Sequence, residues 1–307
     1  IIFFLIRHLY TKISYIAKYF SLNHQLSNMD SETIIQTLST RLATQRYANN
    51  TIKSYCGYAQ IFLDYMMQYS NLNQIPISEI EAFINKKVLT DQISASYQRS
   101  LVGAIKKIYE LVGNQKIELD YLYPKRNETK LPIFFSQEEV RKILNSCENV
   151  KHKAILTTIY SCGLRLSELI NLKIYDVKSD TNLLLIRQSK GNKDRMVSLP
   201  DKLILLLREY YIEYKPKTYL FEGIGGKQYS ERSVQLILKK AIKQAKIGTN
   251  GSVHTLRHSF ATHLIKSGID IRVVQELLGH NDIRTTMIYT HITDVDKKST
   301  PSPLDFL

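Results

Sequence analysis

The sequence is short of acid, of cysteine and of long apolar runs, and each shortage closes off a class of protein. Its three cysteines in 307 residues, Cys56, Cys147 and Cys162, are odd in number and form no C-x-x-C pair. They argue against a disulfide framework or a cysteine-built zinc site and read as reduced thiols of a cytosolic chain. The apolar stretch "IIFFLI" at the start is too short to span a bilayer, and Arg7, Lys12 and Lys18 interrupt the residues after it. No charged n-region precedes that stretch and no small-residue cleavage site comes after it, which argues against a secretory signal. Position 1 is not Met, whereas Met29 precedes a soluble start, "DSETIIQTL". Residues 1–28 therefore read as an upstream extension or fragment edge of uncertain status, with a docking helix as the alternative. Internal repeats, low-complexity tracts and the H-E-x-x-H metal motif are all absent.

What is present is a globular composition with a strong charge bias. Apolar residues make up 44% and charged residues 23%, the profile of a folded soluble chain. The length suffices for two domains, each with a core of its own. Lys and Arg number 42 against 28 Asp and Glu, a net charge of +14. Such an excess favours a polyanionic partner, since each phosphate neutralised releases condensed counterions. Solubility alone is the other account of it.

Residues 31–112 carry helical periodicity. In "NNTIKSYCGYAQIFLDYMMQY", Asn50 is placed to cap and Ile52, Tyr55, Ala59, Phe62 and Met66 recur at three- and four-residue steps. "PISEIEAFINKKV" offers Ser78 as N-cap with Glu81 three residues on, the capping-box spacing. "SASYQRSLVGAIKKIYELVG" gives a further helix ending at Gly113. The expectation is a small all-α domain over 29–113. Residues 114–133, with Pro124, Pro132 and a charged run lacking periodicity, read as a linker.

A second domain is expected over 134–292. Ser136 and Glu139 repeat the capping-box pattern, and the apolar helix "AILTTIYSCG" stops at Gly163. Ser167 suits the N-cap of the next helix, so Arg165 falls on a tight turn whose geometry Glu168 would hold. "LLLIRQSKGNKDRMVSLP" is the clearest strand signal, two β-rich runs around a turn carrying Lys190, Lys193 and Arg195. Helices come next at "ERSVQLILKKAIKQAKI", "VHTLRHSFATHLIKSG" and "IRVVQELLG", the last stopped by Gly279. Asn281 or Asp282 would cap a final helix that ends near Tyr289. The segment 293–307 holds two prolines and reads as a tail.

Three residue groups bear chemistry. His254 and His258, four apart, could in principle bind a metal, but no Cys, Asp or Glu lies within their helix, so no metal is expected. His254 and Arg257, three apart, are neighbours on one helical face, while Leu256, Phe260 and Leu264 form the buried stripe. A guanidinium and an imidazole projecting together suit a phosphate, although an Arg satisfying nearby carbonyls is the plainer alternative. Tyr289 lies between His280 and His291. A free phenol, with a pKa of about 10, is a poor nucleophile at neutral pH, so other residues would have to activate it.

In their order and spacing, "GLRLSEL", "SKGNKDRMVSLP", "HTLRHSFATHL" and "LGHNDIRTTMIYTH" resemble the catalytic signature of the tyrosine recombinase (phage integrase and Xer) family. The resemblance covers 134–292, and the preceding all-α segment is similar to that family's core-binding domain. It implies a mainly α fold: an N-terminal all-α core-binding (SAM-like) domain and a mostly α catalytic domain with a small antiparallel sheet. It implies that Arg165 and Arg257 clamp the scissile phosphate, that Lys190 protonates the departing 5′ oxygen, and that His254 is the general base. His280 would hydrogen-bond the phosphate, and Tyr289 would attack phosphorus to give a 3′-phosphotyrosine link. Lys193, Arg195, Lys239, Lys240 and Lys243 become expected DNA contacts, with a solvated face as the alternative for the helical lysines. His258 and His291 are left structural. The implied setting is cytoplasmic and nucleoid-associated, on double-stranded DNA, with no cofactor and no membrane. The implied assembly is a homotetramer on two sites, alone or with a paralogous recombinase or accessory protein, the tail 293–307 packing into a neighbouring protomer. A type IB topoisomerase and a catalytically silent DNA-binding regulator are the competing readings. All six expected positions are filled, which speaks against the regulator.

Overall fold

The computed structural model describes residues 30–126, 132–189 and 193–290. Lys190, His291, residues 1–28 and the tail 293–307, all singled out above, lie outside the described residues, as does the side chain of Lys193. The chain divides into two compact units between residues 129 and 130.

Among the described residues, the first unit contains four α-helices: α1 (Ser31–Thr44), α2 (Asn49–Tyr65), α3 (Ile77–Leu89) and α4 (Ala95–Leu111). Asp30 starts α1 by accepting the Thr33 amide at 2.8 Å, and Ser94 starts α4 by accepting that of Tyr97 at 3.2 Å. Leu38, Leu42, Phe62, Phe83, Leu101 and Ile105 are fully buried between the helices. At about 1.5–3 kcal/mol for each large apolar side chain, such burial is what holds four short helices together.

Two expected caps are displaced. The helix assigned to Ser78 begins two residues earlier than that cap would put it, at Ile77 behind Pro76, and has no side-chain cap. Proline with its fixed φ suits that boundary, and the carboxylate of Glu81 instead accepts from the Tyr121 hydroxyl. Likewise α2 starts at Asn49 behind Ala48, so Asn50 lies inside its first turn. The expected linker also starts later than 114. Leu119 is fully buried in the first unit's core, Gln98 Nε2 donates to the Leu122 carbonyl at 2.7 Å, and Lys106 pairs with Asp120 at 2.5 Å. Isolated apolar anchors in a polar run carry no period, which is why the sequence pattern passes over them.

The second unit is organised around α6 (Val150–Cys162), whose Ala154, Ile155, Leu156, Thr158, Ile159 and Cys162 are all buried. Helices α5 (Gln137–Asn145) and α7 (Leu166–Asn171) flank it in sequence. Ser136 and Glu139 form the capping box of α5 as the pattern requires. A three-stranded antiparallel sheet comes next, in the order β1 (Val177–Lys178), β2 (Leu183–Ser189), β3 (Lys193–Ser198). Its β2–β3 register pairs Leu184 with Val197 and Ile186 with Arg195, and an irregularity lies between Ile186 and Ser189. Then come α8 (Asp201–Tyr214), α9 (Glu231–Gln244), α10 (Val253–Lys266), α11 (Ile271–Leu278) and the four-residue α12 (Arg284–Met287).

Three turns place the chemistry-bearing residues. Gly163 ends α6 in the left-handed region (φ 59°), and α7 begins at Leu166 with Arg165 as its cap, not at Ser167. The reason is Glu168, whose carboxylate accepts the Arg165 backbone N–H at 2.8 Å. Gly279, also left-handed (φ 61°), ends α11, and Asp282 accepts the Arg284 amide at 2.9 Å to start α12. The Tyr289 amide donates to the Thr286 carbonyl at 3.0 Å, which returns the phenol toward α10.

Candidate active site

A cavity of about 300 Å³ in the second unit is lined by Arg165, His254, Arg257, His258, His280 and Tyr289, among others. The C-terminal ends of α6 and α11, the first turns of α7 and α10, and the end of α12 converge there. Five of the six positions assigned to chemistry are thus brought together, while the sixth, Lys190, lies outside the described residues.

Buried Glu168 organises the positive charge. Arg195 Nη1 and Nη2 donate to its two oxygens, each at 2.8 Å, and Arg165 Nη1 donates at 2.7 Å. Arg257 Nη1 stands 3.6 Å away. Burial alone would raise this carboxyl's pKa, but the hydrogen bonds and charge of Arg195, then those of Arg165, hold it down at about 2. Three guanidiniums, those of Arg165, Arg195 and Arg257, stand around this one carboxylate. A phosphodiester carries one negative charge and its five-coordinate transition state two, so clustered guanidiniums are worth more to the second than to the first.

Arg257, 3% exposed, is anchored by main-chain oxygens: Nη1 donates to Gly163 O and Nη2 to Leu278 O, both at 2.6 Å. Burial first and then repulsion from Arg165 push its pKa down to about 9, still protonated at neutral pH. Arg165 Nη2 donates to the Gly279 carbonyl at 3.0 Å. The two glycine turns that end α6 and α11 therefore supply the carbonyls that aim both arginines. Fork-shaped guanidiniums held this way are suited to phosphate oxygens.

His280 differs from its expected posture. Its Nε2 lies 3.1 Å from Arg257 Nη2 and its Nδ1 2.9 Å from the hydroxyl of fully buried Thr286. Burial, then Arg257 and Arg165, depress its pKa to about 4, so the ring is neutral. A neutral ring that accepts from Arg257 at Nε2 donates at Nδ1 to Thr286. Both nitrogens are engaged by protein, and Nε2 is an acceptor; donation to a phosphate would require exchanging these partners. Thr286 itself carried no signal in the sequence.

The phenol of Tyr289 packs at 1% exposure against Ala261, Val274 and Leu278. Burial raises its pKa, opposed by the charges of Arg257 and Arg165. Its hydroxyl lies 2.7 Å from Nδ1 of His258. His258, which the sequence left as structural, is thus the imidazole on the candidate nucleophile. His254 is exposed and stacks on His258, with ring centroids 6.1 Å apart and planes at 27°. The signal for His258 was in the sequence: it lies one helical turn beyond His254 and next to Arg257.

Arg195 was expected at a DNA backbone and is found in the interior. Its side chain is 9% exposed, with both terminal nitrogens on Glu168 and Nε donating to the Leu277 carbonyl at 2.9 Å. A buried carboxylate between arginines needs that bidentate partner more than a surface phosphate does. Lys239, Lys240 and Lys243 are exposed on α9, whose other face buries Val234, Ile237, Leu238 and Ala241. Among the described residues no group of three or more His, Cys, Asp or Glu side chains could hold a metal ion, and no helix is long and apolar enough to cross a membrane.

Comparison with known proteins identifies the family. Residues 134–295 match the model of the phage integrase family, and residues 34–119 that of the phage integrase N-terminal SAM-like domain. A protein of Thermosipho africanus named tyrosine recombinase is 34% identical over 276 residues, covering 87% of this chain and 97% of its own. Tyrosine recombinase XerA of Pyrococcus horikoshii is 33% identical over 264 residues, covering 85% and 89%. Among solved structures, XerH site-specific recombinase bound to its difH substrate superposes with a TM-score of 0.69 at 25% identity, covering 86% of this chain and 82% of that one. Lambda integrase bound to DNA shares the fold, with a TM-score of 0.69 at 16% identity over 88% of this chain and 99% of its own. With an integrase-family match across more than half its length and relatives aligned nearly end to end, the chain belongs to the phage integrase family, the tyrosine recombinases.

Proposed function

We propose that the chain is a site-specific DNA recombinase that cleaves and rejoins duplex DNA through a 3′-phosphotyrosine intermediate. The observation that carries this reading is a single cavity presenting the phenol of Tyr289 beside two main-chain-anchored guanidiniums, Arg165 and Arg257. The arginines would bind the non-bridging oxygens of the scissile phosphate, and their charge would grow in value as the second negative charge develops. Tyr289 would attack phosphorus, and Lys190 would protonate the leaving 5′ oxygen. His280 would join the phosphate contacts once the anion displaces its present partner.

Storing the bond energy in a tyrosyl ester makes the step reversible without a nucleotide cofactor. Fixed protein cations take the part that divalent metal plays in other nucleases, so neither metal nor nucleotide is required. Lys239, Lys240 and Lys243 would contact DNA from the exposed face of α9. Assembly as a homotetramer on two sites, at the nucleoid in the cytoplasm, belongs to the same proposal. Its tetrameric part is supported by a solved lambda integrase tetramer bound to a Holliday junction. The relatives' names also favour recombination over simple nicking and closing of the topoisomerase kind.

The test starts from a target selected out of a random-sequence duplex library by trapping SDS-stable adducts with wild-type protein. On a nicked duplex carrying that site, wild-type protein should form the adduct in EDTA and Tyr289→Phe should not. An adduct that persists in Tyr289→Phe, or cleavage that needs Mg²⁺, would overturn the reading.

A further inference from the structure

We infer that Gln275 is a positioning residue for the cleavage reaction: its side chain latches the C-terminal end of α11, and that end aims the guanidiniums of Arg165, Arg195 and Arg257. This rests on the recombinase reading above. Helix α11 stops at Gly279, whose N–H donates to the Glu276 carbonyl at 2.9 Å, while the His280 N–H donates to that of Gln275 at 3.1 Å. Two of the carbonyls that a helix end leaves over are thereby satisfied within the turn itself. The next three take guanidinium donors instead. Leu277 O accepts from Arg195 Nε at 2.9 Å, Leu278 O from Arg257 Nη2 at 2.6 Å, and Gly279 O from Arg165 Nη2 at 3.0 Å. Three consecutive residues thus hold arginines that come from β3, from α10 and from the start of α7.

The carbonyl after these, that of His280, accepts from Gln275 Nε2 at 3.0 Å. Gln275 therefore holds the main chain of His280 at both polar groups, its own carbonyl on the N–H and its side-chain amide on the C=O. Thr286 acts on the ring of His280, and Gln275 acts on its backbone. The chain enclosed by these bonds passes through Gly279 in the left-handed region, and the directions of the Leu277, Leu278 and Gly279 carbonyls follow from that turn.

Electrostatics favours the same arrangement. Burial and then repulsion from Arg165 lower the pKa of Arg257, and a helix end carrying roughly half a negative elementary charge eases that repulsion. The fold of α11 is secured separately, by fully buried Val274 and Leu278 packed with Ala261 of α10. Gln275 is only partly buried and lies outside that cluster, so losing its amide should leave the helix in place and free its last turn. A displacement of about 1 Å at catalytic groups costs on the order of 100-fold in rate, so a freed turn is felt in the chemistry before it is felt in the fold.

Gln275→Met keeps the length and bulk of the side chain and removes the donor. On the nicked duplex described above, it should slow single-turnover adduct formation by about 10- to 100-fold. Noncovalent binding of the same duplex sums over many phosphate contacts and should stay at wild-type strength. In the free protein, the Nε–H of Arg195 should exchange slowly with water in wild type and several-fold faster in Gln275→Met, read from its nitrogen-15 resonance. A wild-type cleavage rate in Gln275→Met would overturn the inference. So would slowed cleavage with an unchanged Arg195 signal, with an equal loss of duplex binding, or in a variant already unfolded at the assay temperature, which would place Gln275 in the fold. Failure of wild-type protein to form any adduct would instead overturn the recombinase reading, and the Arg195 exchange rates would still decide whether Gln275 sets the arginines.

Discussion

Both terminal nitrogens of Arg195 donate to the carboxylate of Glu168, each at 2.8 Å, and neither side chain is more than a tenth exposed. A residue of the β-hairpin and a residue of α7 are thereby locked together beneath the phosphate clamp. Replacing Glu168 by Gln keeps the shape and removes the carboxylate that joins three guanidiniums. Breaking one side of a buried ion cluster costs about 3–5 kcal/mol, so urea unfolding should show a loss of that order. Adduct formation should fall with it, because the carboxylate that offsets the repulsion between Arg165 and Arg257 is then gone. A loss below about 1 kcal/mol would mean that the cluster behaves like an exposed pair.

Gly163 is the second sensitive point. Its φ of 59° is a conformation that costs an L-residue roughly 1–2 kcal/mol, and a Cβ there would fall 2.4 Å from Cδ1 of Phe260. Gly163→Ala should therefore lower the melting temperature. It should depress cleavage further than the stability loss alone implies, because the Gly163 carbonyl holds Arg257 Nη1. Gly225 is also at positive φ but has nothing within 4 Å of the place a Cβ would take, so Gly225→Ala serves as a control for backbone strain without the collision.

Acid should destabilise the second unit in two stages. His258 and His280 are held neutral by burial, with pKa values of about 4 against an ordinary 6.5. A depressed pKa contributes stability that is present above the unfolded value and is lost as pH falls, here from about 6.5 toward 4. Glu168, at about 2 against an ordinary 4.5, has the same sign at lower pH, its contribution disappearing between 4.5 and 2. That contribution is on the order of 3 kcal/mol above pH 4.5. Urea midpoints measured from pH 7.5 down to 3 should fall through both windows. In Glu168→Gln the lower step should shrink by that amount while the upper one remains, the rest of the lower step coming from Glu139, Glu222 and Asp282, whose pKa values are also lowered. A flat profile between pH 6.5 and 4 would show that the two imidazoles titrate normally.

The residues that face the cavity were largely legible in the sequence, because their motifs sit at glycine stops and helix starts with strong local signals. Gly163 and Gly279 both adopt the left-handed conformation that a C-terminal stop requires, and the helix carrying His254 and Arg257 begins where the pattern places it. What the pattern could not give was partner choice among charged groups. Arg195 reads as a hairpin cation facing solvent, and its turn inward depends on Glu168, 27 residues away in sequence. His258 and His254 lie on adjoining turns of one helix, and periodicity cannot say which of them a distant tyrosine will reach. The caps at Asn50, Ser78 and Ser167 failed for a local reason: a neighbouring residue, Pro76 in one case and Glu168 in another, fixed the boundary first.

The bond between His280 Nδ1 and the Thr286 hydroxyl gives a last expectation, about tautomers. Nε2 receives the Arg257 N–H, so Nδ1 carries the proton and Thr286 is its acceptor. Thr286→Val removes that acceptor at nearly constant volume in a fully buried place. Either the Nδ1–H is left without a partner or the proton moves to Nε2, where it faces the Arg257 donor. A stranded buried donor costs about 1–3 kcal/mol, and the second outcome pushes Arg257 off its carbonyl anchors. Nitrogen-15 spectra of the wild-type protein should show His280 protonated at Nδ1. Thr286→Val should lose that signature together with adduct formation, and Thr286→Ser should keep both. If Thr286→Val retains the Nδ1–H tautomer and full cleavage, the hydroxyl has no part in holding His280 against Arg257.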